Sequence, residues 1–208
     1  MIKAKHNYFI VQFFNWYISN ILKKDFFEIK YDPLFDFEEN KAVLYISNHF
    51  SWWDGFFSYY INLKLFKKFF YVMMLEKELK KRKFFTSIGA YSINPKSEST
   101  KESIEYTNYL LEKKESFISI FPQGRIESNH KNKINLKKGI EYIINNSNND
   151  FQFIFSVVLV DFFEKRKPTA YIYLKKIPLE KNVKIEEIQE EYNLFYLECK
   201  NKQNELWV

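Results

Sequence analysis

The chain has 208 residues, one cysteine and four glycines, a length that supports one domain with a real core and requires neither disulfides nor a structural metal. A net charge of +6 and a pI near 9.1 point to an anionic partner such as phosphate or a membrane surface. The arginines are only Arg82, Arg125 and Arg166 and no nucleic-acid motif is present, which argues against nucleic acid as the partner. Cys199 alone excludes an internal disulfide and fits a reducing compartment, and the scattered His6, His49 and His130 form no metal-ligand cluster.

The first 24 residues are read as a unit of their own. Tyr8 to Val11, Phe13, Phe14, Trp16 to Ile18, Ile21 and Leu22 are apolar, while Gln12, Asn15 and Ser19 form a narrow polar stripe at helical spacing. Lys3, Lys5, Lys23 and Lys24 flank both ends. The apolar runs are too short and interrupted to span a bilayer, and no small-residue cleavage site marks a signal peptide. A broad apolar face with terminal lysines and Trp/Tyr predicts an amphipathic helix lying in the membrane interface. The alternative is a terminal helix packed on the domain's own core. The expected organisation is therefore a membrane-interface helix over 1–24 and a second domain over 25–208.

From there the pattern alternates. Strand-like apolar runs lie near 42–47, 69–75, 117–121, 151–160 and 170–175, and helix-like runs near 53–67, 76–84, 98–114, 136–147 and 184–202. That alternation predicts a single α/β domain with a mixed central sheet flanked by helices.

The first strand-like run ends in Asn48-His49-Phe50-Ser51-Trp52-Trp53-Asp54-Gly55. His49 falls at the strand-to-helix turn and Asp54 about one turn into the helix, within reach of the imidazole. A carboxylate there fixes the ring tautomer and raises the basicity of the other nitrogen, as a general base near neutral pH requires. Apart from Ser51 within the turn, no serine or cysteine lies beside the pair to serve as a nucleophile, which suits activation of a hydroxyl brought by a substrate. A second constellation is Phe121-Pro122-Gln123-Gly124-Arg125, where a strand runs into a turn carrying one of the scarce arginines. Backbone N–H groups beside a guanidinium make an oxyanion or phosphate cradle.

Together these segments resemble the glycerolipid acyltransferase family, which includes the 1-acylglycerol-3-phosphate acyltransferases. Its N-H-x-x-x-x-D block is matched by Asn48, His49 and Asp54, and its F-P-E-G-T-R-S block by Phe121 to Ser128. The second block is approximated by Gly89 to Lys96, and the apolar fourth block by Ile154 to Val160. The resemblance covers about residues 40–175 and has departures. Gln123 stands for the usual glutamate, Arg125 for the threonine and Ile126 for the arginine. The arginine of the second block is missing around Asn94, with Lys96 the candidate for a displaced charge.

The resemblance implies an O-acyltransferase without a covalent intermediate, in which His49 and Asp54 are catalytic and Gln123, Gly124, Arg125 and Lys96 bind substrate. The implied donor is acyl-CoA or acyl-carrier protein, with no further cofactor and no metal. The implied acceptor is a lysophospholipid, 1-acylglycerol 3-phosphate first and another lysolipid or a glycolipid second. Aromatics around Phe56 to Tyr60 are candidate walls for an acyl groove. The expected setting is the cytoplasmic face of a membrane, held peripherally or monotopically, and the competing reading is a catalytically silent lipid-binding module.

Overall fold

The computed structural model describes residues 1–95, 97–148, 150–178 and 182–206. Among these, seven strands form one sheet: β1 (Glu28–Tyr31), β2 (Ala42–Ser47), β3 (Phe69–Leu75), β4 (Ala90–Ile93), β5 (Ser116–Ile120), β6 (Phe151–Asp161) and β7 (Thr169–Ile177). Their order across the sheet is β1-β7-β6-β2-β5-β3-β4, and only the β6–β7 pair is antiparallel. The α/β class with a mixed, helix-flanked sheet is as the alternation predicts. β2 lies in the middle with all six residues buried, which explains why it reads as a continuous apolar run rather than an alternating one.

Successive side chains of a strand point to opposite faces, so β2 feeds two cores. Ala42, Leu44 and Ile46 join a cluster with α4 (Ser99–Leu111), α5 (Gly139–Asn145) and α6 (Ile185–Asn204). Val43 and Tyr45 join another with α1 (Tyr8–Asp25) and α2 (Asp54–Ile61). A short α3 (Glu76–Lys81) follows β3, and α2 runs on into a wider π-type turn, Asn62–Phe66. That turn ends on Lys67 at φ 54, with the Lys67 N–H closed onto the Asn62 carbonyl.

The helix at the N-terminus spans Tyr8–Asp25 and begins on Asn7, whose side chain accepts from the Ile10 N–H as an N-cap. Phe14, Ile18 and Leu22, spaced four apart, are buried against the sheet and α2. Burial of each is worth about 1.5–3 kcal/mol. The opposite face leaves Tyr8, Phe9, Phe13 and Trp16 exposed, Phe9 at 80%. Ahead of α1, the chain hydrogen-bonds along the sheet edge: Ile2 exchanges bonds with Ser92 of β4, and Lys5 and Asn7 donate to Thr86 and Ser87. An edge strand is thereby covered.

The glycine of the approximate second block has its reason here. Gly89 sits at φ +104, and a Cβ on it would fall 1.8 Å from the Phe70 carbonyl oxygen and 2.8 Å from His6 Nε2. The space it leaves admits the His6 ring, whose Nε2 lies 2.9 Å from that carbonyl. Burial holds the His6 pKa below its ordinary value. Gly89 therefore serves the backbone and the docking of residues 1–7.

Candidate active site

β2 and β5 are parallel neighbours, and the chain leaves their C-terminal ends toward opposite faces, to α2 on one side and α5 on the other. A crevice forms where adjacent strand ends part in this way. Both motif segments lie in it.

Asn48, the first residue after β2, is buried. Its side chain imitates a strand residue, accepting from Val158 N–H at 2.8 Å and donating to the Val158 carbonyl at 2.9 Å. This extends the β2–β6 ladder beyond the Ser47–Ser156 pair and anchors the backbone of the next residue, His49. The turn Ser51 to Trp53 then brings the chain back, and α2 starts on Asp54 itself rather than a turn earlier.

Asp54 Oδ2 lies 2.6 Å from His49 Nδ1 and also accepts the backbone N–H groups of Phe50 at 2.7 Å and Ser51 at 2.9 Å. Its Oδ1 accepts the Ser51 hydroxyl at 2.9 Å. An oxygen already receiving two N–H groups meets the imidazole as an acceptor, so the ring proton sits on Nδ1 and Nε2 is left as a base. The Asp54 side chain is 1% exposed and that of His49 25%, so the orienting carboxylate is shielded while the ring reaches solvent. Phe121 stacks on the ring, 4.7 Å between centroids.

The loop after β5 grips the same backbone. Gln123, buried, accepts the His49 N–H on Oε1 at 2.6 Å and donates from Nε2 to Glu127 Oε2 at 2.9 Å. The Glu127 N–H closes the circuit on the His49 carbonyl at 2.8 Å. Glu127 Oε1 accepts from Arg125 Nε at 2.8 Å and from Lys131 Nζ at 2.9 Å. These donors, Lys131 foremost and then Gln123, hold the Glu127 pKa down to about 2. Gly124 turns the chain at φ +68, and its N–H is donated to the Phe121 carbonyl at 3.0 Å. Service as an oxyanion donor would require that turn to reopen.

The structure thus brings His49, Asp54, Gln123, Gly124 and Arg125 to one crevice, while Lys96 lies outside the described residues. Arg125 is drawn to Glu127 instead of standing alone. Phe56, Phe57 and Tyr59, candidate groove walls, are buried in the core. Three contributors carry no role in the sequence reading. Ser51 is the second partner of Asp54, Asn48 is the anchor, and Glu127 is the hub of the second loop. A carboxylate two residues from Arg125 was the one local signal for Glu127. Two clefts of about 720 and 500 Å³ lie around Tyr71 and Tyr106 and around Tyr59 and Phe70, and neither includes His49 or Asp54. Among the described residues no three His, Cys, Asp or Glu side chains gather as a metal site, and no helix is long and apolar enough to cross a membrane.

The pattern of the family described as Acyltransferase matches residues 28–160. Among solved structures, the chain is similar to the 1-acyl-sn-glycerophosphate (LPA) acyltransferase PlsC from Thermotoga maritima, with a TM-score of 0.61 and 10% identity. That match covers 96% of this chain and 81% of the other, and it carries the fold. No curated protein matches the sequence. The family match takes in both loops and six of the seven strands, β6 but for Asp161, and the chain belongs to the Acyltransferase family.

Proposed function

We propose that the protein transfers a fatty acyl group from a thioester donor, acyl-CoA or acyl-carrier protein, to a hydroxyl of a lysophospholipid-type acceptor. The observation that carries this reading is the His49 Nδ1–Asp54 Oδ2 contact of 2.6 Å, with Nε2 left as the base at an open strand end. His49 Nε2 takes the proton of the acceptor hydroxyl as its oxygen bonds to the thioester carbonyl carbon. The tetrahedral adduct collapses with cleavage of the C–S bond, and the leaving thiolate takes the proton back from His49. The balance closes without an acyl-enzyme, so no nucleophilic side chain is required.

The test is thioester consumption with acyl-CoA and acyl-carrier protein against a panel of lysolipids, with His49→Ala as control. Turnover dependent on both acceptor and His49 is expected. A folded wild-type protein that consumes no thioester with any acceptor overturns the reading in favour of a silent lipid-binding module. For acceptor identity, 1-acylglycerol 3-phosphate is the expectation carried by the resemblance. The Arg125–Glu127 ion pair favours the second acceptor class, a lysolipid or glycolipid without a phosphate monoester.

The exposed Tyr8, Phe9, Phe13 and Trp16 of α1, with Lys23 and Lys24 at its end, support contact with an anionic membrane surface, the cytoplasmic leaflet, by a peripheral protein. Changing Phe9, Phe13 and Trp16 together to serine should lower cosedimentation with anionic vesicles while leaving the thermal midpoint in place. Equal binding of both proteins refutes the membrane role of that face.

A further inference from the structure

We propose that Glu127 is a built-in anion that occupies the cation pair Arg125 and Lys131, so that the acceptor recognised beside His49 carries a neutral head and no phosphate monoester. The inference rests on the acyl-transfer reading for the identity of the reacting hydroxyl, and on geometry for the rest.

The two cations converge on one oxygen. Arg125 presents Nε and Nη2 to Glu127 Oε1, each at 2.8 Å, and Lys131 Nζ reaches the same oxygen at 2.9 Å. Two such donors closing on one oxygen atom is what a phosphate oxygen would meet. The Arg125 side chain is 73% exposed and the Glu127 side chain 6%, so the carboxylate lies beneath the guanidinium and sheltered by it. A phosphate dianion approaching Arg125 would be placed against a carboxylate that cannot move away. Glu127 Oε2 is held by Gln123, and the Glu127 N–H is bonded to the His49 carbonyl. Like charges at that separation oppose binding.

The position is the relevant one. In a glycerol 3-phosphate derivative the phosphate sits one carbon from the hydroxyl to be acylated. The cluster sits one backbone hydrogen bond from the residue carrying the base. The same geometry accounts for Gln123. Its amide must accept on one side, from the His49 N–H, and donate on the other, to the Glu127 carboxylate. A glutamate at 123 accepts on both sides and would face a second carboxylate. The charge absent from position 123 is therefore present at 127, turned toward the cations rather than toward the dyad.

The experiment compares wild type, Glu127→Gln, Glu127→Asp and Glu127→Gln with Arg125→Ala, all full length. Kinetics with monoacylglycerol and with lysophosphatidate are paired with calorimetric titration of glycerol 3-phosphate, which reads binding without turnover. Wild type should use monoacylglycerol at the higher kcat/KM. Glu127→Gln should raise kcat/KM for lysophosphatidate relative to monoacylglycerol, and tighten glycerol 3-phosphate, by about ten- to hundredfold, the worth of a charge-assisted bond. Glu127→Asp should keep the wild-type preference, and adding Arg125→Ala should abolish the gain. A wild type that prefers lysophosphatidate overturns the proposal even if no variant folds. So does a Glu127→Gln protein that binds glycerol 3-phosphate no better than wild type. If neither acceptor supports turnover in any protein, the acyl-transfer reading fails, and the titrations still decide whether Glu127 blocks the anion site.

Discussion

The loop after β2 and the loop after β5 meet at the same backbone, yet one is closed and the other open. In the first, Asp54 is spent entirely inward, its oxygens accepting from His49, Phe50 N–H, Ser51 N–H and the Ser51 hydroxyl, with a side chain 1% exposed. In the second, Glu127 bonds inward to Gln123 and outward to Arg125 and Lys131, whose side chains are 73% and 45% exposed. A buried carboxylate with several donors tolerates little change, because each donor left unpaired costs its full desolvation. A carboxylate whose cation partners are exposed is replaced at less cost, because water takes up the cations it leaves. The difference teaches why the dyad matches the family block letter for letter while the loop after β5 departs from it.

The largest effect should come from the closed loop. His49→Ala should lower acyl transfer by roughly two to four orders of magnitude, the range of a general base. Asp54→Asn should also fall steeply and melt earlier, since the amide carries no charge and has only one oxygen to accept what two carboxylate oxygens accept now. Steady-state thioester assays with thermal melts check both, and a folded His49→Ala enzyme at near-normal turnover breaks the comparison at its root.

Next comes the joint between the loops. Gln123→Glu sets a carboxylate against Glu127, now 2.9 Å from the Gln123 amide, and should lower both the melting midpoint and kcat/KM, the latter about tenfold by a raised carboxylate pKa and a displaced His49. Gln123→Glu with Glu127→Ser should recover most of the loss. A coupling of about 0.5–3 kcal/mol in the double-mutant cycle is the range for residues in one network, and simple additivity would show the two positions to be independent.

Ser51→Ala should have a smaller effect on kcat/KM, with most of its loss falling on stability. It removes a hydrogen bond to an ionised group, worth about 1.5–3 kcal/mol, together with the Trp53 N–H contact. Loss should appear in stability and in kcat with KM for the acceptor little changed, and an unchanged kcat would assign Ser51 to folding alone.

The smallest effect is on pH dependence. Glu127 has its pKa lowered from 4.5 to about 2 by Lys131, Gln123 and Arg125, so its contribution is complete above pH 4.5 and is lost as pH falls toward 2. Wild type should therefore lose stability more steeply than Glu127→Gln across that window. Glu38, held equally low by Lys176 and Lys41, acts in both proteins and cancels in the difference. Because the cations are exposed, salt should shrink the gap, and a gap indifferent to salt would mean that packing rather than charge sets it.

Some of this was legible along the chain. The runs at β2, β3, β5, β6 and β7 are rich in apolar and β-forming residues, and each appears within one or two residues of its expected span. β1 and β4 were not, because each is four residues long and takes its identity from its neighbour. β1 alternates exposed and half-buried residues with two charges and becomes a strand through its pairing with β7 from Glu28 to Tyr31. β4 follows Gly89 and pairs with β3 on one side while residues ahead of α1 cover the other.

The sequence by itself determined the dyad, because His49 and Asp54 are five residues apart and a single tight turn joins them. It determined that an arginine stands beside the third block, and that one helix at the N-terminus carries more apolar surface than one face can bury. Tertiary structure alone decided which face of α1 turns inward, since Phe14 and Phe13 are equally apolar and only the sheet and α2 distinguish them. It alone placed Gln123 against His49, a contact across 74 positions made by the parallel register of β2 and β5. And it alone turned Arg125 from a free cation into half of an ion pair, because the charge a side chain offers to a ligand depends on what the fold has already brought within 3 Å of it.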